Sequence, residues 1–247
     1  MYHRVSNTRG DDSAVLPHEF KRQMEFLAEF GYQVLDLADL VSAIVSKKPL
    51  TNRSVVLTFD DGFDETYAET CAILKKHNYP ATFFLISGLI GKYADWMPNR
   101  PRLMNWDDAR SLVRDGFAIG SHALTHCRLD HLSTDGAREE IFRSKRVLED
   151  GLGVAVRSFA YPFGSWNGTL RNLVIQSGYD GACTTQCGFN GDASDIFALR
   201  RIDIDGQYSL SMFERSLAFG ENHMSLTRQL GYYSRRLFHR ALFPSAT

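Results

Sequence analysis

Cysteine is scarce: four residues, at 71, 127, 183 and 187, are too few and too scattered for a disulfide framework, which fits a reducing compartment. Only Cys183 and Cys187 are close, and with no second pair to complete the ligands of a structural zinc site they read as free thiols. Charge of one sign is missing too. With 28 Lys and Arg against 29 Asp and Glu, the formal net charge is -1, so no global field favours nucleic acid or an acidic polymer, and binding must be local. No run approaches the ~18 apolar residues of a membrane span, and "YHRVSNTRGDD" after Met1 has no apolar leader core. As written, the chain is expected to be soluble and cytoplasmic. It also lacks internal repeats and low-complexity linkers.

At 247 residues the chain suits a single domain of α/β-barrel size. "PHEFKRQMEFLAEFGYQVL" spaces Phe20, Met24, Leu27 and Phe30 helically from Pro17 to Gly31, and "LADLVSAIVSKK" repeats the period. Strands follow at 54–59, 81–86, 117–121 and 156–161, with shorter ones near 179–184 and 198–204. Helices at 65–77, 107–114, 134–148 and 167–176 alternate with them. That rhythm predicts a parallel sheet, open or closed into a barrel. The expected domain is 1–222. The tail 223–247 combines Leu, Tyr and Phe with Arg228, Arg235, Arg236 and Arg240, which suits a closing helix or peripheral contact with an anionic membrane surface.

Three punctuated stretches follow predicted strands: "TFDDG", "GSHALTH" and "FAYPFG". Ligands of parallel α/β folds gather at the carboxyl ends of strands, so the three are expected to share one face. His122 and His126, four apart, would come to one side of a helical turn and grip a divalent ion. With a carboxylate from Asp60 or Asp61 they make a ligand set for zinc or a similar ion, with positions left open. One Asp can then hold the ion while the other accepts a proton from water. The plain alternative for "DDG" is a helix N-cap. "YPFG" reads as a turn that offers backbone N–H groups and a ring wall to a substrate, or simply as the end of a strand. Trp166 is a candidate sugar-stacking face, whereas Trp96 and Trp106 have no such placement.

Taken together, "TFDDG", "HALTH" and "YPFG" resemble the first three motifs of the polysaccharide deacetylase family, the NodB-homology domain of carbohydrate esterase family 4, over about Tyr2 to Asp205. The resemblance implies a distorted (β/α) barrel of about seven strand units that removes N-acetyl groups from amino sugars with a divalent metal, commonly Zn2+. It further implies Asp61, His122 and His126 as metal ligands and Asp60 as general base. Tyr161, Pro162 and Phe163 would line the substrate site, with the Phe163 N–H facing the oxyanion.

Three departures stand out. Ala123 replaces the usual Ser or Thr after the first His. Ala160 stands where many relatives carry an Arg that orients the base, with Arg201 of "LRRIDI" as substitute or as a surface ion-pair residue. No Leu-x-His motif follows residue 205. "MYHRV" is similar instead to the poly-N-acetylglucosamine deacetylase branch, in which an N-terminal "YH" supplies that His, so His3 becomes the candidate general acid. Because Met1 begins this motif directly, either the start is truncated, which weakens the inference from the missing leader and leaves export open, or His3 sits on a frayed terminus. The rival functions are deacylation or deformylation of a small or lipid-linked sugar, hydrolysis of another linear or cyclic amide, and a catalytically inactive glycan-binding relative.

Overall fold

Each apolar run bounded by turn residues becomes a short parallel strand, and each amphipathic run between two of them becomes a helix. The computed structural model describes residues 1–8, 11–51 and 53–222. In chain order the elements are β1 (Arg4–Val5), β2 (Ala14–Val15), α1 (Pro17–Glu29), β3 (Gln33–Leu35), α2 (Leu37–Ser46), β4 (Ser54–Val56), β5 (Thr58–Phe59), α3 (Tyr67–Lys76), β6 (Thr82–Leu85), α4 (Trp106–Arg114), β7 (Ala118–Ser121), α5 (Thr134–Leu152), β8 (Ser158–Ala160), α6 (Gly168–Gln176), β9 (Gly181–Cys183) and α7 (Leu210–Phe219). Side-chain caps start α2 at Asp36, α4 at Asn105, α5 at Ser133, α6 at Asn167 and α7 at Ser209. Each satisfies an amide that the first helical turn leaves without a partner.

The main sheet runs β5-β6-β7-β8-β9, all parallel. Its two edges are bridged through the chain's amino end. Beyond β9, Leu199 pairs with Cys183, and the Ile204 N–H donates to the Met1 carbonyl. Tyr2 then bridges to Phe59 on β5, donating its N–H to Thr58 and accepting from the Asp60 N–H. Five strands and these two flanking segments curl around a core in which Tyr2 stacks on Phe59 and Phe59 on Phe83, with ring centroids 5.3 and 4.7 Å apart. The α/β class and curled parallel sheet are as expected. Among the described residues, no helix is long and apolar enough to cross a membrane.

Several boundaries differ from the expectation. The run 54–59 is two strands, because β4 pairs with β3 while β5 pairs with β6. Segment 198–204 forms one bridge rather than a strand. Helix α7, which places Phe213 in the main core, has no counterpart among the expected elements. The amino end is not frayed: Tyr2 and Val5 are buried, and buried Arg4 pairs with Asp11 and Glu65 over the Phe63 ring. The basic tail 223–247, with the closing helix or membrane contact expected for it, lies outside the described residues.

Candidate active site

At the end of β5 the backbone turns sharply, with Asp61 at φ 70° and Gly62 at φ 78°. A Cβ at position 62 would come within 2.6 Å of Leu85 Cδ2, so this turn needs glycine on conformational and steric grounds. The turn sends both carboxylates into the protein, and neither acts as a helix cap. Asp60 accepts both terminal guanidinium nitrogens of Arg201, each at 2.7 Å, and Arg201 Nε donates to the Thr184 carbonyl at 2.9 Å. Arg201 is buried, not a surface residue. Burial alone would raise the Asp60 carboxyl, but the Arg201 guanidinium, with His122 beside it, holds it well below the usual carboxylate range.

His122 and His126 converge without forming a helical turn. Ala123 and His126 both adopt left-handed backbone, φ 62° and 57°, so the spacing works through a looped segment. No local pattern marks the group that holds this loop. Glu140 on α5, largely buried, accepts the N–H groups of Leu124 and Thr125 through Oε2 and the Thr125 hydroxyl through Oε1, at 3.0, 2.9 and 2.7 Å. The support that a hydroxyl at 123 would lend is absent, and Glu140 anchors the adjacent residues instead. His122 Nδ1–H donates to the Ala160 carbonyl at 2.8 Å, which turns Nε2 toward Asp61. Burial pushes the His122 imidazole down to about 4, so the ring is neutral at pH 7.

Asp61 Oδ1 lies 3.4 Å from His122 Nε2 and 3.2 Å from His126 Nε2, yet it is buried without a hydrogen-bond partner. Burial raises the Asp61 carboxyl, but the two imidazoles outweigh it and the group is held below its ordinary value. Asp60 is already neutralised by Arg201. A buried carboxylate facing two imidazole nitrogens is therefore left with no fixed cation of its own, an arrangement that suits a divalent ion. The ligand atoms of the three residues lie within 4.8 Å of one another. This donor set fits a divalent ion such as zinc.

That cavity, about 250 Å³, is lined by His3, Asp60, Asp61, His122, His126, Tyr161, Phe163 and Trp96, among others. His3 Nδ1 lies 3.7 Å from Asp203 Oδ1. Tyr161 is buried and donates its hydroxyl to the Phe197 carbonyl, while Pro162 starts a tight turn in which Phe163 takes left-handed φ 59° and leaves its ring half exposed. Two aromatic expectations are exchanged. Trp166 packs against the core beside Tyr161, outside the cavity lining, because the turn after Gly164 points it inward. Trp96, which lacked a placement in the sequence, lies over His126. A second cavity of about 720 Å³, between α2, β3, β4 and loop 188–192, is lined largely by apolar residues such as Leu35, Leu40 and Ile44 and includes Arg201, the partner of Asp60, but none of Asp61, His122 or His126.

Comparisons with known proteins agree with this geometry. A family model described as polysaccharide deacetylase matches residues 47–182. The Bacillus subtilis (strain 168) protein YxkH is 26% identical over 213 residues, covering 86% of this chain and 73% of that protein. The poly-beta-1,6-N-acetyl-D-glucosamine N-deacetylase of Escherichia coli (strain K12) is 24% identical over 253 residues, covering 87% of this chain but only 38% of that enzyme. In structure, the Streptococcus pyogenes deacetylase PplD in complex with acetate superposes with a TM-score of 0.77 at 26% identity, over 90% of this chain and 96% of that one. The matched range contains Asp60, Asp61, His122 and His126, and the chain belongs to the polysaccharide deacetylase family, hydrolases that act on amide bonds.

Proposed function

We propose that this protein is a metal-dependent de-N-acetylase of N-acetylhexosamine units in a bacterial polysaccharide or glycan precursor. The observation that carries the proposal is the convergence of Asp61, His122 and His126 beside Asp60 in one cavity. The named substrate of the Escherichia coli relative supports the choice of glycan. Asp61, His122 and His126 would hold the ion, Zn2+ being the best match to their donor set. When bound, it supplies Lewis-acid polarisation of the amide carbonyl and makes a nearby water more acidic.

The chain's own groups carry the proton transfers. Asp60, kept ionised by Arg201, accepts a proton from the attacking water as the new C–O bond forms at the carbonyl carbon. The Phe163 N–H, presented by the left-handed turn, donates to the tetrahedral oxyanion. His3, at the cavity wall, gives a proton to nitrogen as the C–N bond breaks, which releases acetate and the free amine. Tyr161 and Pro162 set the turn, and the Phe163 ring forms a wall for the sugar.

The test is acetate release from β-1,6-linked N-acetylglucosamine oligomers before and after chelation, then after Zn2+ is restored. Activity is expected to vanish and return; activity that survives removal of the ion overturns the mechanism. A wider panel of acylated, formylated and cyclic amides distinguishes the deacylase reading. A parent protein that binds glycan without turnover would identify an inactive relative, and an unchanged rate in H3A would remove His3 from the mechanism.

A further inference from the structure

The two imidazoles facing Asp61 are held in different ways. His122 has a hydrogen-bonded brace, its Nδ1–H reaching the Ala160 carbonyl at 2.8 Å. Such a partner normally fixes the tautomer and orientation of a metal-binding histidine. His126 has none: its Nδ1 is buried without a hydrogen-bond partner. What confines this ring is aromatic. The Trp96 ring lies 4.2 Å from it, centroid to centroid, at an interplanar angle of 39°, and the Phe163 ring lies 4.7 Å from it at 37°.

Trp96 can act as a brace only if its own segment is stiff, and the structure provides that stiffness. The segment from Ile86 to Met104 sits over a small core of Phe63, Ile86, Ala94 and Leu103, against which Leu89 and Met97 also pack. Its backbone is tied to both ligand-bearing turns. Gly88 N–H donates to the Leu124 carbonyl at 2.9 Å, next to the His126 loop, and Met104 N–H donates to the Gly62 carbonyl at 2.8 Å, next to Asp61. Within the segment, Ala94 and Leu103 donate to Pro101 and Lys92, each at 2.9 Å. Trp96 keeps 37% of its surface accessible and lines the cavity. It therefore touches His126 while remaining open to whatever enters.

We propose that Trp96 is a positioning residue for His126, its indole taking the place of the missing hydrogen-bond partner, so that the strength of ion binding depends on a side chain exposed in the substrate cavity. The inference rests on the metal-dependent reading above. It adds that a sugar stacking on Trp96 presses on the ring that holds the ion, so glycan occupancy and ion affinity are linked, each strengthening the other.

The experiment measures ion affinity directly. Zn2+ dissociation constants, by competition with a chromophoric chelator, and visible spectra of the Co2+-loaded protein are compared for the parent, W96A and W96F, with far-UV circular dichroism confirming that each variant is folded. W96A is expected to bind Zn2+ about 10- to 100-fold more weakly, the range for losing a supporting contact of a metal-binding histidine. It should also show an altered Co2+ spectrum, while W96F recovers most of both. In the parent, N-acetylglucosamine oligomers should tighten Zn2+ binding, and W96A should abolish that effect. A parent that binds no ion defeats the metal-dependent reading itself. A parent that binds Zn2+ while folded W96A binds it equally well with the same Co2+ spectrum overturns the role of Trp96 and leaves that reading intact. Should W96A fail to fold, W96F with parental affinity and W96L with equally parental affinity would overturn it as well.

Discussion

Arg201 and Asp60 meet from positions 141 residues apart and form a buried two-pronged ion pair. Removing one member of such a pair strands the other charge, so R201A is expected to lose about 3–5 kcal/mol of unfolding free energy in urea titrations. R201K keeps the charge but not the planar fork, so Asp60 should be held in a poorer orientation. Stability should then fall much less than activity, with acetate release reduced about 100-fold, as for a misplaced catalytic group. R201K with parental turnover would show that the fork has no bearing on Asp60.

At the scale of an element, α5 does more than cover the sheet. It places Glu140 under the His122–His126 loop, where one carboxylate answers two backbone amides and a hydroxyl. E140A leaves those partly buried amides without their protein acceptor, at a total cost of about 1 kcal/mol, because water can reach the exposed Thr125. E140Q retains a carbonyl oxygen for them and should lose far less. Denaturant midpoints give the stability difference, and Zn2+ titration should show E140A binding the ion more weakly than E140Q. Equal stability of E140A and the parent would mean that the loop is held by its left-handed residues alone. The dependence of these two imidazoles on a distant helix explains why their four-residue spacing resembled a helical turn in sequence and proved to be a loop.

Across the whole molecule, the buried titratable groups of the site make stability depend on pH. His122 is moved from 6.5 down to about 4 by burial, so between those values the unfolded chain binds a proton that the folded ion-free protein does not. Stability from this group is therefore complete above pH 6.5 and is lost as the pH falls toward about 4, by roughly 3 kcal/mol over the window. The depressed carboxyls of Asp60 and Asp61 act in the same direction lower down: their contribution is present above the ordinary aspartate value and is lost as acid titrates the folded state. Thermal unfolding in chelator should show a midpoint that falls from pH 7 to pH 4.5, with a shallower fall in H122Q. An identical pH slope in the two proteins would remove His122 as its source.

What the sequence by itself determined was local and periodic. Alternating apolar runs and amphipathic helices gave the parallel α/β class, and strand-end punctuation at Asp60–Gly62, His122–His126 and Tyr161–Gly164 marked one face, because short-range sterics and periodicity decide both. The strand boundaries were less legible: only the choice of neighbour separates β4 from β5 within one apolar run. Tertiary structure alone decided the partners. Arg201 reaches Asp60, Glu140 reaches the histidine loop, Trp96 rather than Trp166 lines the cavity, and Met1 and Tyr2 bridge the two edges of the sheet beside His3. Each of these contacts joins segments far apart in the chain, and no local pattern encodes which distant group will satisfy a buried charge, a stranded amide or an open strand edge.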